Sequence, residues 1–559
     1  MSSDKRNRKR GNFVVLSAAG LVTLVCLFGH LGAIGLVGPD EPRYAWIARA
    51  MATTGDWVTP RLYGQPWFEK PVLYYWLAGA GFLMHLPAEW AARLPSAIAA
   101  LAAAVAIGWL GRKYYGVAAE PLASPWLTAP LIFSTSVAAI GFARAAGPDM
   151  LFSAALTLAM ASAAAVLARR GALRSAESAA LPGRAASDYP SLALFGAWLG
   201  CAALAKGPAG IVIAGGAIGI WALATKHWHG AFRLVHPIAM VAFCIVALPW
   251  YVLCAARNPD FIQIFIFQHN FERYLTPLFQ HRQPFWYFVP ILILGLLPWT
   301  AALWPAGEEG LRLWRERSWS DSPGFFFACW AIFPFSFFSF SQSKLPGYIL
   351  PAIPPLALLI AVGLGRRVFA RNASRSPESS AKWVMAAVGI TWMLMTITAM
   401  HWINRVPSIA VFFSGTSILA LMSAGILFGT IIAGLGVRRS RGTFWLSVLL
   451  VAALVELSGT FLLPALDLDT SARFHRNLFR DHRRSDRFFT FHLTRSWQYG
   501  LNFYFGREIP EWSPSDLDPA LVLTTPRGLQ EMIELGRVQG TVEQPYLHVV
   551  YVPVPPAPR

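Results

Sequence analysis

The sequence predicts a polytopic α-helical membrane protein of about thirteen transmembrane helices, with helices lying along the outer interface and a small C-terminal α/β unit. Three observations predict it. Apolar windows long enough to cross a bilayer recur between residues 13 and 463. Only 14% of the 559 residues are charged while 55% are hydrophobic, too few polar groups to cover several soluble domains. Basic residues collect in alternate loops between the windows, as orientation in a bilayer requires.

The windows fall near 13–37, 91–111, 121–140, 148–168, 190–205, 208–225, 235–254, 285–304, 324–341, 346–364, 382–401, 408–436 and 443–463. The first follows a basic start, Met1 to Arg10. It is longer than a signal-peptide core and lacks a small-residue cleavage site, so it reads as an uncleaved first helix. Lys5 to Arg10, Arg112-Lys113, Arg169-Arg170, Lys226 with Arg233, Arg312 with Arg315 and Arg317, Arg366 with Arg367, and Arg438-Arg439 then share one side, the cytoplasm. An odd number of spans sends the remainder outward. The chain therefore divides into a membrane part, 1–463, with outward loops 38–90 and 255–284, and an outward α/β unit, 464–559.

Within the first loop, segments 41–54 and 71–86 carry apolar residues at helical spacing and read as interfacial helices. If 71–86 crossed, every later loop would change sides and the basic pattern would fail. In the tail, Leu521 to Thr524 and Leu547 to Val552 alternate like strands, and 527–536 reads as a helix. The Ala-rich stretches 97–107 and 154–168 suit close helix packing.

The formal charge of +18 would point to nucleic acid in a soluble protein. Here it sits in short loops, so nucleic acid is excluded as a partner and membrane lipids, acidic ones above all, are expected. Five isolated cysteines in apolar runs form no CxxC pair, which argues against zinc sites and disulfides. No P-loop, no GxGxxG after a strand and no GxSxG occurs, so no nucleotide or redox cofactor is indicated.

The candidate chemistry lies outward. Asp40-Glu41-Pro42-Arg43-Tyr44-Ala45 follows the first span, and Glu69-Lys70-Pro71 lies between Trp67-Phe68 and an apolar run. Charge beside hydrocarbon is costly and tends to be kept for function. Asp149 opens the fourth span after Gly147-Pro148, where a helix-capping role is equally open. Lys206 stands at a Gly-Pro break and Lys344 in a short link before Tyr348, with snorkelling to the interface as the plain alternative. These cations, with Arg273, suit an anionic group such as a lipid phosphate. Asp40, Glu69, Lys70 and Asp149 are the candidate catalytic residues. Arg43, Tyr44, Lys206, Arg273, Lys344 and Tyr348 are the candidate substrate-binding residues. Glu69 and His269 are the pair that could hold a divalent metal ion, although their spacing matches no strict metal motif.

In chain order, Asp40 to Ala45, Gly55-Asp56-Trp57, Phe68-Glu69-Lys70-Pro71, Pro148-Asp149, Ala205-Lys206-Gly207 and Lys344-Leu345-Pro346-Gly347-Tyr348 together resemble the bacterial aminoarabinose transferases. These are polyprenyl-phosphate-dependent integral-membrane glycosyltransferases of the GT-C class. The resemblance spans the membrane part and weakens after about residue 464. It implies a GT-C fold and transfer of 4-amino-4-deoxy-L-arabinose from undecaprenyl phosphate to lipid A phosphates. It also implies an active site at the periplasmic face of the inner membrane and a lowered outer-membrane negative charge, hence resistance to polymyxin and cationic peptides. The Asp-Glu and Glu-Lys-Pro motifs are shared with relatives that mannosylate proteins, so a protein O-mannosyltransferase-like enzyme is the near alternative. A lipid transporter is the distant one. It would need charges along a midplane path, and the spans hold little beyond Glu456.

Overall fold

The structure, a computed structural model, describes residues 2–118, 120–169, 173, 187–272, 283–369, 380–403, 427–435, 440–473, 488–516, 518–544 and 547–552. Helix α1 (Ser2–Phe28) leads through an irregular link into α2 (Asp40–Thr54). Two acids in the first turn of α2 complement its dipole, and Gly55 closes it at φ 73°, donating its N–H to Met51 O. A two-residue hairpin, β1 (Arg61–Leu62) with β2 (Gln65–Pro66), precedes α3 (Leu73–Leu83). At about 1.5 Å per residue, the 11 residues of α3 reach only about half of a ~30 Å hydrocarbon core. As expected for an interfacial helix, it is too short to cross.

Next come α4 (Ala88–Tyr115), α5 (Pro125–Ser134), α6 (Val137–Ala143), α7 (Asp149–Arg169), α8 (Tyr189–Lys206), α9 (Ala209–Thr225) and α10 (Pro237–Arg257). Among the described residues, six helices are long and apolar enough to cross a membrane, or up to eight if each of two bent pairs forms one span. Of these, α7 is the most enclosed, with 89% of its apolar window buried, whereas only 22% of the α10 window is buried. Small residues account for the difference: Ala154, Ala155, Ala159, Ala161, Ala163 and Ala164 let neighbouring helices approach α7 closely. Tyr114 donates to Ala164 O at 2.6 Å across one such contact.

Two expected spans are not straight. The window 121–140 is the pair α5 and α6, bent by 64°. Its cause is local: Thr135 and Ser136 hydroxyls donate to the carbonyls of Leu131 (2.5 Å) and Phe133 (2.7 Å), competing with helix continuation. The window 285–304 is broken as well. Phe285–Gly295 contains α11 (Phe288–Gly295), and Trp299–Arg315 contains α12 (Leu303–Arg315); the two halves meet at 104°. Pro298 at the corner has no N–H to continue a helix. The two breaks satisfy each other, because Val137 N–H donates to Leu297 O at 3.1 Å and Trp299 Nε1 to Thr135 Oγ1 at 2.9 Å. Irregular backbone is tolerated at such depth when buried in protein.

The remaining helices include α13 (Pro323–Phe340), α14 (Ile353–Leu364), α15 (Ser380–Ile403) and α16 (Ser440–Leu457), the last continuing through Leu463–Thr470. Most of the window 408–436 lies outside the described residues. Three basic groups meet at one end of the bundle: Arg312 and Arg366 pair with buried Glu309, and Arg441 donates to Phe369 O at 3.2 Å.

The C-terminal residues form a mixed sheet in the order β3 (Phe488–Phe491), β4 (Ala520–Thr524), β6 (Leu547–Val552), β5 (Gly540–Gln544), parallel only between β3 and β4. With α18 (Pro526–Glu534) they build a small core of Phe491, Trp512, Val522, Met532 and Val550. Helix α17 (Arg495–Phe505) joins the main core instead, through Leu501, Phe503 and Tyr504. It thereby seats the sheet on α2.

Candidate active site

The first turn of α2 places Asp40 and Arg43 on one face, and Arg43 Nη2 donates to Asp40 Oδ1 at 2.5 Å. The same guanidinium lies 3.0 Å from Glu69 Oε2, and Lys70 Nζ stands 3.7 Å from Glu69 Oε1. Aromatic rings box Arg43 in: its Cζ is 5.2 Å from the Tyr44 ring, 5.3 Å from Trp67 and 5.8 Å from Tyr499. Buried Tyr44 packs in turn on Tyr74 and Tyr75, with centroids 5.9 and 6.0 Å apart. Phe68 meets Phe261 edge-on at 5.2 Å, tying the Glu69-Lys70 turn to the second outward loop.

A second set adjoins the first. Asp149 begins α7 and Lys206 ends α8, so the acid sits at a positive helix end and the cation at a negative one. The two side chains pair directly. The Lys206 Nζ also lies 4.8 Å from the Tyr348 ring centroid and 5.6 Å from that of Phe152. Gly347 abuts this pair: a Cβ there would stand 3.0 Å from Asp149 Cγ. The loop before Asp149 stands against α2, since Ala146 N–H donates to Glu41 at 2.7 Å and a Cβ on Gly147 would lie 3.8 Å from the Tyr44 ring, which sets the two groups side by side.

Although 61% of the Asp40 side chain is reachable by water, protein crowds it elsewhere. That desolvation is the largest influence on its carboxyl and raises it above the usual aspartate range, with Arg43 opposing. Lys344 behaves differently from the other cations. It is buried and donates to backbone carbonyls, Ser341 O at 2.5 Å and Gln283 O at 3.1 Å. Desolvation lowers its amine below the ordinary lysine range. Tyr348, one turn on, faces Lys206.

The structure thus gathers Asp40, Arg43, Tyr44, Glu69, Lys70, Asp149, Lys206 and Tyr348, while Lys344 is held by its own link and by Gln283. Arg273 lies outside the described residues. His269 is half-buried on the π-helical segment Gln263–Glu272. Among the described residues no three His, Cys, Asp or Glu side chains gather as metal ligands. Both Glu69 oxygens face cations, Arg43 at 3.0 Å and Lys70 at 3.7 Å.

Sequence reading missed the pair that supports this site. Glu41 is buried and accepts from Arg93 at 3.1 and 2.6 Å, from Val37 N–H at 2.9 Å and from Ala146 N–H at 2.7 Å. Arg93 completes its fork on the carbonyls of Leu31 (2.8 Å), Ile34 (2.7 Å) and Gly35 (2.7 Å). One ion pair therefore fixes the link before α2, the start of α4 and the loop before Asp149. Tyr499 was missed too, since nothing in the tail's composition announces a ring against Arg43.

Comparison with known proteins places the chain. The sequence model of the dolichyl-phosphate-mannose-protein mannosyltransferase family matches residues 25–265. The undecaprenyl phosphate-α-4-amino-4-deoxy-L-arabinose arabinosyl transferase of Edwardsiella ictaluri is 31% identical over 420 residues, covering 74% of this chain and 72% of that one. The enzyme of the same name from Erwinia tasmaniensis is 31% identical over 60% of this chain, and the match spans 58% of its own length. Among solved structures, ArnT from Cupriavidus metallidurans bound to undecaprenyl phosphate superposes with a TM-score of 0.71 at 23% identity, covering 96% of this chain and 97% of that one. Its apo form gives a TM-score of 0.70. The fold is thus of the GT-C kind, and the chain belongs to the membrane glycosyltransferase family of undecaprenyl phosphate-α-4-amino-4-deoxy-L-arabinose arabinosyl transferases.

Proposed function

We propose that the protein moves 4-amino-4-deoxy-L-arabinose from undecaprenyl phosphate to phosphate groups of lipid A, at the periplasmic face of the inner membrane. The observation that carries the reading is the placing of Asp40, Arg43, Glu69 and Lys70 beside Asp149, Lys206 and Tyr348, the loop before Asp149 packing on α2. It belongs to a chain 31% identical to transferases of that name. Thirteen spans, a cytoplasmic N-terminus and an outward C-terminal sheet complete the topology.

In the reaction the bond from the sugar's anomeric carbon to the donor phosphate breaks, and a new bond forms from that carbon to a lipid A phosphate oxygen. Undecaprenyl phosphate leaves with the electron pair. Lys70 and Arg43 stabilise the charge on that leaving phosphate, with Lys206 exchanging Asp149 for it. The acceptor phosphate is already anionic, so no strong base is needed. Asp40 and Asp149, one from each set, are carboxylates suited to a cation. The sugar's ammonium in the ground state, and oxocarbenium-like charge in the transition state, are such cations. The chemistry is carried by this chain's own side chains, with no step assigned to a metal. Neutralising lipid A phosphates lowers outer-membrane negative charge and gives resistance to polymyxin.

Purified protein supplied with the polyprenyl-phosphate donor and either lipid A or a Ser/Thr-rich peptide tests the proposal. Sugar on lipid A alone is the expected result. Sugar on the peptide hydroxyls would favour the protein O-mannosyltransferase-like alternative.

A further inference from the structure

Asp56 stands just past the end of α2, in the link to the hairpin that delivers Glu69 and Lys70, and several groups converge on its carboxylate. Oδ1 accepts from the N–H groups of Val58 and Thr59, at 3.1 Å each. Arg257, the last residue of α10, reaches the same oxygen at 3.4 Å, and Arg61 Nε of β1 stands 3.5 Å from Oδ2. The Arg257 and Arg61 side chains are 57% and 40% exposed, so these ion pairs contribute little and the backbone N–H bonds do the holding. Among the described residues, none of these partners is a candidate site residue. Any effect of Asp56 on the chemistry therefore runs through the chain it shapes.

The turn it caps is gripped from two sides. Trp57 O accepts from Trp76 Nε1 of α3 at 2.8 Å. Val58 O accepts from Trp250 Nε1 of α10 at 2.9 Å, and Thr59 Oγ1 accepts from Asn258 Nδ2, just past α10, at 3.0 Å. Directly after the turn, Trp67 N–H donates to Pro60 O at 2.8 Å and closes the hairpin, and Glu69 and Lys70 follow in the chain. The end of α10 reaches both sets of site residues. Phe261 packs on Trp250 at 5.3 Å and on Phe68 at 5.2 Å. Tyr251 donates to Ala203 O at 2.8 Å, in the last turn of α8, which ends in Lys206.

From this geometry we infer that Asp56 is a positioning residue for the transfer, an inference that rests on the function proposed above. By capping the turn that α10 grips, it fixes the Glu69-Lys70 turn relative to the end of α8, where Lys206 stands. The donor phosphate gains negative charge as it leaves, so the cation beside it matters most in the transition state and in one place. A misplacement of about 1 Å, even from a change away from the chemistry, can cost on the order of 100-fold in rate. Without the capping oxygen, Val58 and Thr59 N–H lose their acceptor, and the groups offered to Trp250 and Asn258 shift with the turn. Asp56→Asn keeps an oxygen in that place, whereas Asp56→Leu removes it.

The test compares the full chain with Asp56→Leu, Asp56→Asn, Asn258→Leu and Trp76→Phe. Asp56→Leu and Asn258→Leu, which loosen the hold on α10, should lower kcat for transfer to lipid A at least about tenfold, while the KM for the polyprenyl-phosphate donor changes less than about threefold. Asp56→Asn should keep kcat within about threefold of wild type. Trp76→Phe removes one hydrogen bond into the same turn, but from α3, and should also stay within about threefold. Amide hydrogen exchange across Trp67 to Lys70 should quicken in Asp56→Leu and Asn258→Leu alone. Wild-type kcat in Asp56→Leu, or in Asn258→Leu where the first variant does not accumulate, would overturn the inference. So would an Asp56→Asn loss as large as that of Asp56→Leu, or an equal loss in Trp76→Phe, which would assign the turn a general packing role. If wild type itself transfers no sugar, the proposed function falls, and unchanged exchange in both Leu variants would then overturn the positioning as well.

Discussion

Each candidate residue has a distinct electrostatic task, and the tasks have distinct consequences. Lys70→Ala removes a cation from the leaving phosphate and Asp40→Ala removes the anion facing the sugar. Each should lower transfer at least ~100-fold at wild-type protein level, measured as sugar added to lipid A in a strain lacking its own enzyme. Near-normal transfer by both would remove them from the site. The pH profile carries a second signature. Asp40 acts ionised, and its raised carboxyl takes up its proton at a higher pH than free aspartate. Activity should therefore fall on acidification before an ordinary carboxylate would titrate. Lys344, as the ammonium, holds the link before Tyr348 by donating to Ser341 O and Gln283 O; its lowered amine loses the proton below the usual lysine range, so that hold, and activity with it, should weaken on the alkaline side there. Lys344→Arg keeps the charge to higher pH and should move that alkaline limb upward. An unmoved limb would assign it to another group.

At the scale of elements, the Glu41–Arg93 pair holds α2, α4 and the loop entering α7 in register. Removing one partner strands a buried charge, so Glu41→Leu or Arg93→Leu should cost about 3–5 kcal/mol. Loss of protein accumulation and a lowered unfolding temperature in detergent would report it. The double replacement should recover part of the loss, because no charge is then left unpaired. Sequence reading singled out Asp40 and Glu69-Lys70 because each stands against an apolar run. It could not find the pair, since Arg93 lies in an Ala-rich window and its partner is 52 positions away. The bends at Thr135-Ser136 and Pro298 escaped it for a related reason. Hydropathy averages over a window and does not register where a hydroxyl or a missing N–H interrupts the helix. The strand pattern of β4 and β6 was plain from alternation, whereas the placement of α17 against Arg43 depends on tertiary packing alone.

At the scale of the whole molecule, the basic ends gathered on Glu309 and the mixed-charge site lie on different links of the same bundle, which the proposed topology assigns to opposite faces. Ser515→Cys, in an exposed turn of the C-terminal part, should react with a membrane-impermeant thiol reagent added from the periplasm. Of the five native cysteines only Cys244 is exposed, and it lies within α10, so background labelling should be small. Labelling only from the cytoplasm would reverse the orientation and move the site to the wrong side for lipid A. The central claim is the transfer itself. Mass spectrometry of lipid A from a gene-deleted strain, complemented with wild type or with Lys70→Ala at equal protein level, tests it most directly. The account predicts aminoarabinose on lipid A phosphates with wild type and none with the variant. Unmodified lipid A in the wild-type strain, with donor present and protein in the membrane, would contradict it.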